Sequence, residues 1–137
     1  MGQPRFLIVS RPAVRSVSAL GDIRRSETVW QLVGANNRSL GRSHGSFGDV
    51  PSCQAAIRRM VSGLPQCRPS LQLVEHGRLW TWRLELDDQV LAVSARSYRR
   101  QRECQYNLEG FLNAAHTGEP ARERSGSPQP RPWRGSL

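Results

Sequence analysis

The chain has 137 residues, room for one domain of ordinary size, and a formal net charge of +9. No apolar run approaches the roughly 20 residues of a membrane helix, and residues 6–9 (FLIV) are too few for a signal-peptide core, so a cytoplasmic chain without membrane association is expected. The 3 cysteines form no C-x-x-C pair and His44, His76 and His116 lie far apart, which points to no disulfide framework, no local metal motif and no cofactor.

In chain order, Phe6, Leu7, Ile8 and Val9 read as a short strand. Residues 10–27 follow, carrying Arg11, Arg15, Arg24 and Arg25 against Asp22 and Glu27. Val14, Val17, Leu20 and Ile23 recur there at three-residue spacing, which predicts a short amphipathic turn of helix projecting from the domain. Loops on a rigid scaffold often carry binding, so those four arginines are candidate partner contacts. Residues 29–33 and 39–43 then read as a hairpin around Asn36 and Asn37, which tolerate positive φ. Val50, Cys53, Ile57, Met60, Val61 and Leu64 mark a helix, with Asp49 as N-cap and Gly63 as stop. The pattern returns with a strand at residues 71–74, a hairpin turning at Asp87 and Asp88, and a helix bearing Cys104, Leu108, Phe111, Leu112 and Ala115. In the second hairpin Trp80, Trp82, Leu84 and Leu86 alternate with polar residues, the period of a half-buried strand.

The two stretches keep register. From Trp30 the offsets to Ser43, Phe47, Cys53 and Ile57 are 13, 17, 23 and 27; from Trp82 to Ser94, Tyr98, Cys104 and Leu108 they are 12, 16, 22 and 26. One extra residue in the first turn accounts for every difference, which marks an internal repeat. The expected fold is α+β: two tandem strand-hairpin-helix units (about 4–64 and 71–116) sharing one antiparallel sheet, with two helices packed on one face. Residues 1–116 form the single domain. Residues 117–137, basic and rich in Pro, Gly and Ser, are expected to be a disordered tail.

This pattern of an alternating aromatic strand, small-x-Ser, an aromatic four residues on, and a helix with small and apolar positions six and ten beyond it resembles the YegP-like tandem-repeat family of uncharacterised bacterial domains. The resemblance covers roughly residues 4–116. It implies paired units in one antiparallel sheet with strands exchanged between units, and it brings no activity or site. Two departures stand out: the 10–27 insertion replaces a tight connection, and Val50 and Gln101 stand where the family usually has Lys.

No catalytic constellation emerges. Cys53 and Cys104 sit at equivalent places on the apolar helix faces and read as packing, as do Trp30, Trp80 and Trp82; the alternative for the tryptophans is a stacking platform for bases. His44 reads as the end of a strand, and Cys67 as the one accessible thiol. All 20 basic residues are arginine, against 11 acids. Arg96, Arg99, Arg100 and Arg102 cluster where the second helix begins, a place where the helix dipole disfavours positive charge. Such a cluster suits an anion or a nucleic acid. The expectation is therefore a non-enzymatic binding or protein-interaction module, meeting an unknown protein or a second copy of itself. The alternative is a nucleic-acid-binding protein using the Arg cluster and the basic first repeat.

Overall fold

The computed structural model describes the backbone of residues 3–18 and 21–125, and the side chains of residues 3–11 and 27–118. Strands β1 (Arg5–Ser18), β2 (Gly21–Val33) and β3 (Ser39–Ser43) precede helix α1 (Val50–Ser62) and a 3-10 turn at Leu64–Gln66. Then come β4 (Arg68–Val74), β5 (Leu79–Leu86), β6 (Gln89–Ser94), helix α2 (Gln101–Thr117) and β7 (Glu119–Ser125). One sheet holds the strands in the order β4-β5-β6-β3-β2-β1-β7. The first six are antiparallel to their neighbours, and β7 runs parallel to β1.

Tight turns decide which strands are neighbours. Asp87 and Asp88 take φ of 53° and 64°, the left-handed pair that a two-residue hairpin between Leu86 and Gln89 requires. At the other hairpin Asn37 has φ 65°, and its N–H donates to the Gly34 carbonyl at 2.9 Å. Connections this short leave consecutive strands side by side. The two sets of three strands therefore stay contiguous, and the exchange of strands implied by the family resemblance does not occur. The sets meet only where β3 pairs with β6, through Gly41–Ser94, Arg42–Val93 and Ser43–Ala92.

Corresponding details recur on either side of that seam. The Trp30 N–H donates to Ser43 Oγ at 3.3 Å, and the Trp82 N–H donates to Ser94 Oγ at 3.4 Å. Phe47 bridges to Thr28, and Tyr98 to Trp80. Asp49 caps α1 as expected, accepting from the Ser52 N–H at 2.8 Å, and Gly63 closes it. Hydrogen bonds from the Ser52 hydroxyl and N–H hold the Asp49 carboxyl below its usual range.

The buried face of the sheet and both helices form one core. Trp30 and Trp82 are each 1% exposed, and Cys53, Met60, Cys104 and Phe111 are fully buried. Phe111 of α2 sits between the tryptophans, 6.3 Å from Trp30 and 4.7 Å from Trp82 by ring centroids; Phe6 meets Trp30 edge-on at 5.5 Å. Such aromatic pairs are worth about 0.5–1.5 kcal/mol beyond the area they bury. Beneath Phe111 lies Gly41, where an added Cβ would stand 2.6 Å from Phe111 Cδ1 and 2.8 Å from Trp82 Cη2. The small residue of the small-x-Ser pattern is thus a steric requirement at the seam.

Two expectations are corrected. Among the described residues of 10–27 there is no helical turn: β1 and β2 continue as a two-stranded ribbon, paired from Arg5–Val33 out to Ser18–Gly21. An existing ladder extends one pair at a time, whereas a new helix of that length would have to be nucleated. The second correction concerns residues 119–125, expected within the disordered tail that began at 117. They form β7 along β1, from Arg5–Glu119 to Ser10–Ser125, by main-chain pairing that needs no apolar side chains. The rest of that tail, residues 126–137, lies outside the described residues.

Two substitutions test this core. Trp82→Ala should lower unfolding free energy by roughly 3–5 kcal/mol, the usual loss for a buried Trp. Gly41→Ala, the smaller chemical change, should lower it by about 1–3 kcal/mol through overpacking. Urea unfolding followed by circular dichroism reads both, and a Gly41→Ala protein as stable as the parent would refute the seam contact.

Candidate functional site

Helix periodicity brings part of the arginine cluster to one groove. Arg99, Arg102 and Tyr106 fall on one stripe running into and along α2, with Gly110 one turn further. The β2–β3 turn faces that stripe and contributes Asn36 and Arg38, and β3 adds Leu40; Arg96 and Tyr98 come from the segment joining β6 to α2. The groove between them has a volume of about 680 Å³. Its floor is Leu40, Tyr98 and the open space beside Gly110, while guanidinium groups stand at its rim. Asn107 is fixed within it by accepting a 2.6 Å hydrogen bond from Trp82 Nε1, so the groove wall is tied directly to the core.

The charge is one-sided. Arg38, Arg96, Arg99 and Arg102 are exposed, and Glu103 is the only acid among the lining residues. Among the described residues, ion pairs form at Arg59–Asp87 and Arg83–Glu85, and none of the four groove arginines takes part in one. Arg99 also borders a neighbouring hollow at the β4–β5 turn, lined by Glu75, His76, Arg78 and Leu79, where the charge is mixed. Burial pushes the Tyr98 hydroxyl above its usual range; Arg96 opposes that rise, and Cys104 and Glu103 add to it.

Of the arginines singled out in sequence, Arg96, Arg99 and Arg102 thus converge. Arg100 is exposed as the extended N-cap residue of α2, makes no side-chain capping bond and does not line the groove. Arg38 and Tyr106 were not anticipated. Tyr106 left a signal, four residues after Arg102 on the same helix, whereas Arg38 reaches the cluster only through the fold. The second set of candidates is not brought to this groove. Arg11 is exposed and pairs in register with Glu27, beside a separate hollow that includes Arg42 and His44. Arg24 and Arg25 pair across the ribbon with Val14 and Ala13, and Arg15 falls at its register shift; their side chains lie outside the described residues. The tryptophan stacking platform is absent, since Trp30 and Trp82 are core and Trp80 packs against it.

The mirror position near α1 is built differently. There Arg59 reaches the β5–β6 turn, donating to Gln89 Oε1 at 2.9 Å and to Asp87 Oδ2 at 3.4 Å. Among the described residues, no group of three His, Cys, Asp or Glu side chains could hold a metal ion. Nor is any helix long and apolar enough to cross a membrane.

Comparison with known proteins identifies the architecture. The chain is similar to the solution structure of yegP from E. coli, a protein of unknown function, with a TM-score of 0.66 and 15% identity, covering 93% of this chain and 98% of that one. It is similar as well to a UPF0339 protein from Shewanella oneidensis, at TM-score 0.65 and 8% identity, covering 93% and 96%. The chain shares their fold. No family model matches it, and neither does any curated protein.

All three thiols are less ionised than a free cysteine. Burial pushes Cys53 up to about 11 and raises Cys104 in the same direction. Cys67 is raised chiefly by burial, with Arg59 opposing and Asp87 adding to the rise. A raised thiol pKa means less thiolate, so iodoacetamide at pH 8 should label the folded protein slowly and at Cys67 first. Cys53 and Cys104 should label only on unfolding, as peptide mass mapping over time would record. Early labelling of Cys53 would mean that α1 leaves the core readily.

Proposed function

We propose that this protein is a non-enzymatic binding module of the YegP-like type, built from two tandem strand-hairpin-helix units, whose partner is a polyanion held in the groove between α2 and the β2–β3 turn. The observation that carries this is the set of four exposed arginines, Arg38, Arg96, Arg99 and Arg102, none in an ion pair with a described residue. Like charges gathered without acidic partners are unfavourable for the isolated fold, and a multiply charged anion relieves that repulsion. Arginine suits the task because its planar fork binds phosphate or carboxylate in two parallel hydrogen bonds. The tandem architecture is supported by the matched Trp–Ser hydrogen bonds and by the paired bridges at Phe47 and Tyr98. Self-association is a weaker reading. It would use β4, a sheet edge that exposes half of Leu73, but Arg68 and Pro69 guard the start of that strand against pairing.

Affinity for a mixed-sequence oligonucleotide and for heparin, measured between about 50 and 200 mM salt, tests the proposal. For the oligonucleotide, log K should fall linearly with log salt, each phosphate contact adding roughly 0.7–0.9 to the slope. The double variant R96E/R99E should weaken binding at least tenfold at low salt and flatten that slope. Affinity indifferent to salt, or unchanged in the variant, would refute it.

A further inference from the structure

We infer, on the polyanion reading above, that the partner is a single-stranded nucleic acid, with a base stacked on Tyr106 and adjoining phosphates on Arg38, Arg96, Arg99 and Arg102. Tyr106 is 78% exposed, one of two large apolar side chains left open among the described residues. A ring so exposed contributes little to the fold. It stands on the same helix stripe as Arg99 and Arg102, so ring and guanidinium groups form one continuous surface. That pairing of an aromatic face with a cationic rim is how unpaired strands are held: every base offers a π-face, and the backbone follows the charge. A duplex keeps its base faces stacked on one another and would leave Tyr106 idle. An acidic peptide would satisfy the arginines and have no use for the ring.

The other half of the molecule shows what this place looks like when a side chain spans it. The register that matches Cys53 with Cys104 and Ile57 with Leu108 also matches Arg59 with Gly110, and the turn residues Asp87 and Gln89 with Asn36 and Arg38. Near α1, Arg59 spans from helix to turn and bonds to both of those turn residues. Near α2 the spanning side chain is replaced by Gly110, where an added Cβ would meet nothing within 4 Å. The positive charge has moved to the turn as Arg38. One groove is bridged by the protein itself and keeps a smaller hollow of about 420 Å³ beside Arg59 and Gln89; its counterpart, about 680 Å³, is unbridged, cationic and flanked by an exposed ring.

Fluorescence anisotropy with labelled oligo-dT of about 12 nucleotides, within the range a single small domain covers, tests this with the full chain. A duplex of equal charge and poly-glutamate serve as competitors. Oligo-dT should bind more tightly than either, and Tyr106→Ala should weaken it about tenfold, the usual scale for one stacked base. Tyr106→Trp should bind more tightly than Tyr106→Ala. Gly110→Arg, which adds positive charge while bridging the groove as Arg59 does, should weaken binding; Arg58→Glu, on the exposed face of α1, should leave it unchanged. Thermal melts confirm that each variant is folded. Tighter binding by Gly110→Arg, equal binding of duplex or poly-glutamate, or a silent Tyr106→Ala would overturn the single-strand inference and leave a charge-only polyanion site. Failure of the parent to bind any of the three probes would overturn the polyanion reading as well.

Discussion

The whole architecture depends on one close approach, the seating of Phe111 between Trp30 and Trp82 over Gly41. β3 and β6 exchange three residue pairs, the only strand pairing that joins the two halves of the sheet among the described residues. The aromatic cluster lies across that seam, with Trp30 from one side, Trp82 from the other and Phe111 of α2 touching both. A side chain at Gly41 would lift the ring off the sheet and loosen everything registered to it. The halves are therefore joined twice, by the short β3–β6 ladder and by a helix lying across it.

The same arrangement places the groove. α2 lies over the centre of the sheet because Phe111 must reach both tryptophans, and that position brings its preceding turns up against the β2–β3 hairpin. Trp82 links the two levels, burying its ring in the core while its Nε1–H fixes Asn107 in the groove wall. Arg38 and the arginines of the α2 stripe thus start from backbone positions that the core fixes, while their exposed side chains keep the reach to meet an anion.

Much of the fold was legible because packing leaves periodic traces. Strict alternation at Trp80, Trp82, Leu84 and Leu86 and three- and four-residue spacing in both helices named the buried faces correctly, down to Cys53 and Cys104. The turn chemistry of Asp87 and Asp88 was legible for the same kind of reason: few residue types accept that backbone. The segment at 10–27 misled because Val14, Val17, Leu20 and Ile23 fit a helical spacing, and nothing local reveals that a ladder runs through Val14, Val17 and Ile23. β7 left no trace at all, since main-chain pairing along β1 asks nothing of side chains. The groove was half legible. The cluster at Arg96, Arg99 and Arg102 is contiguous in sequence, but Arg38 joins it only through tertiary contact, and the significance of Tyr106 depends on its exposure.

The seam also bears on how the chain reaches this state. Each hairpin closes over a handful of residues and can form early, whereas β3 and β6 lie about fifty residues apart in sequence, so their meeting carries a larger loop-closure entropy and comes late. Until then each half has an unpaired strand edge, and Trp30 lacks the Phe111 ring that stacks on it across the seam. An edge of that kind accepts the complementary strand of another molecule as readily as its own. Concentration during refolding therefore matters for this chain: dilution favours closure within one molecule, and crowding favours reciprocal exchange of halves about the Leu64–Gln66 connection.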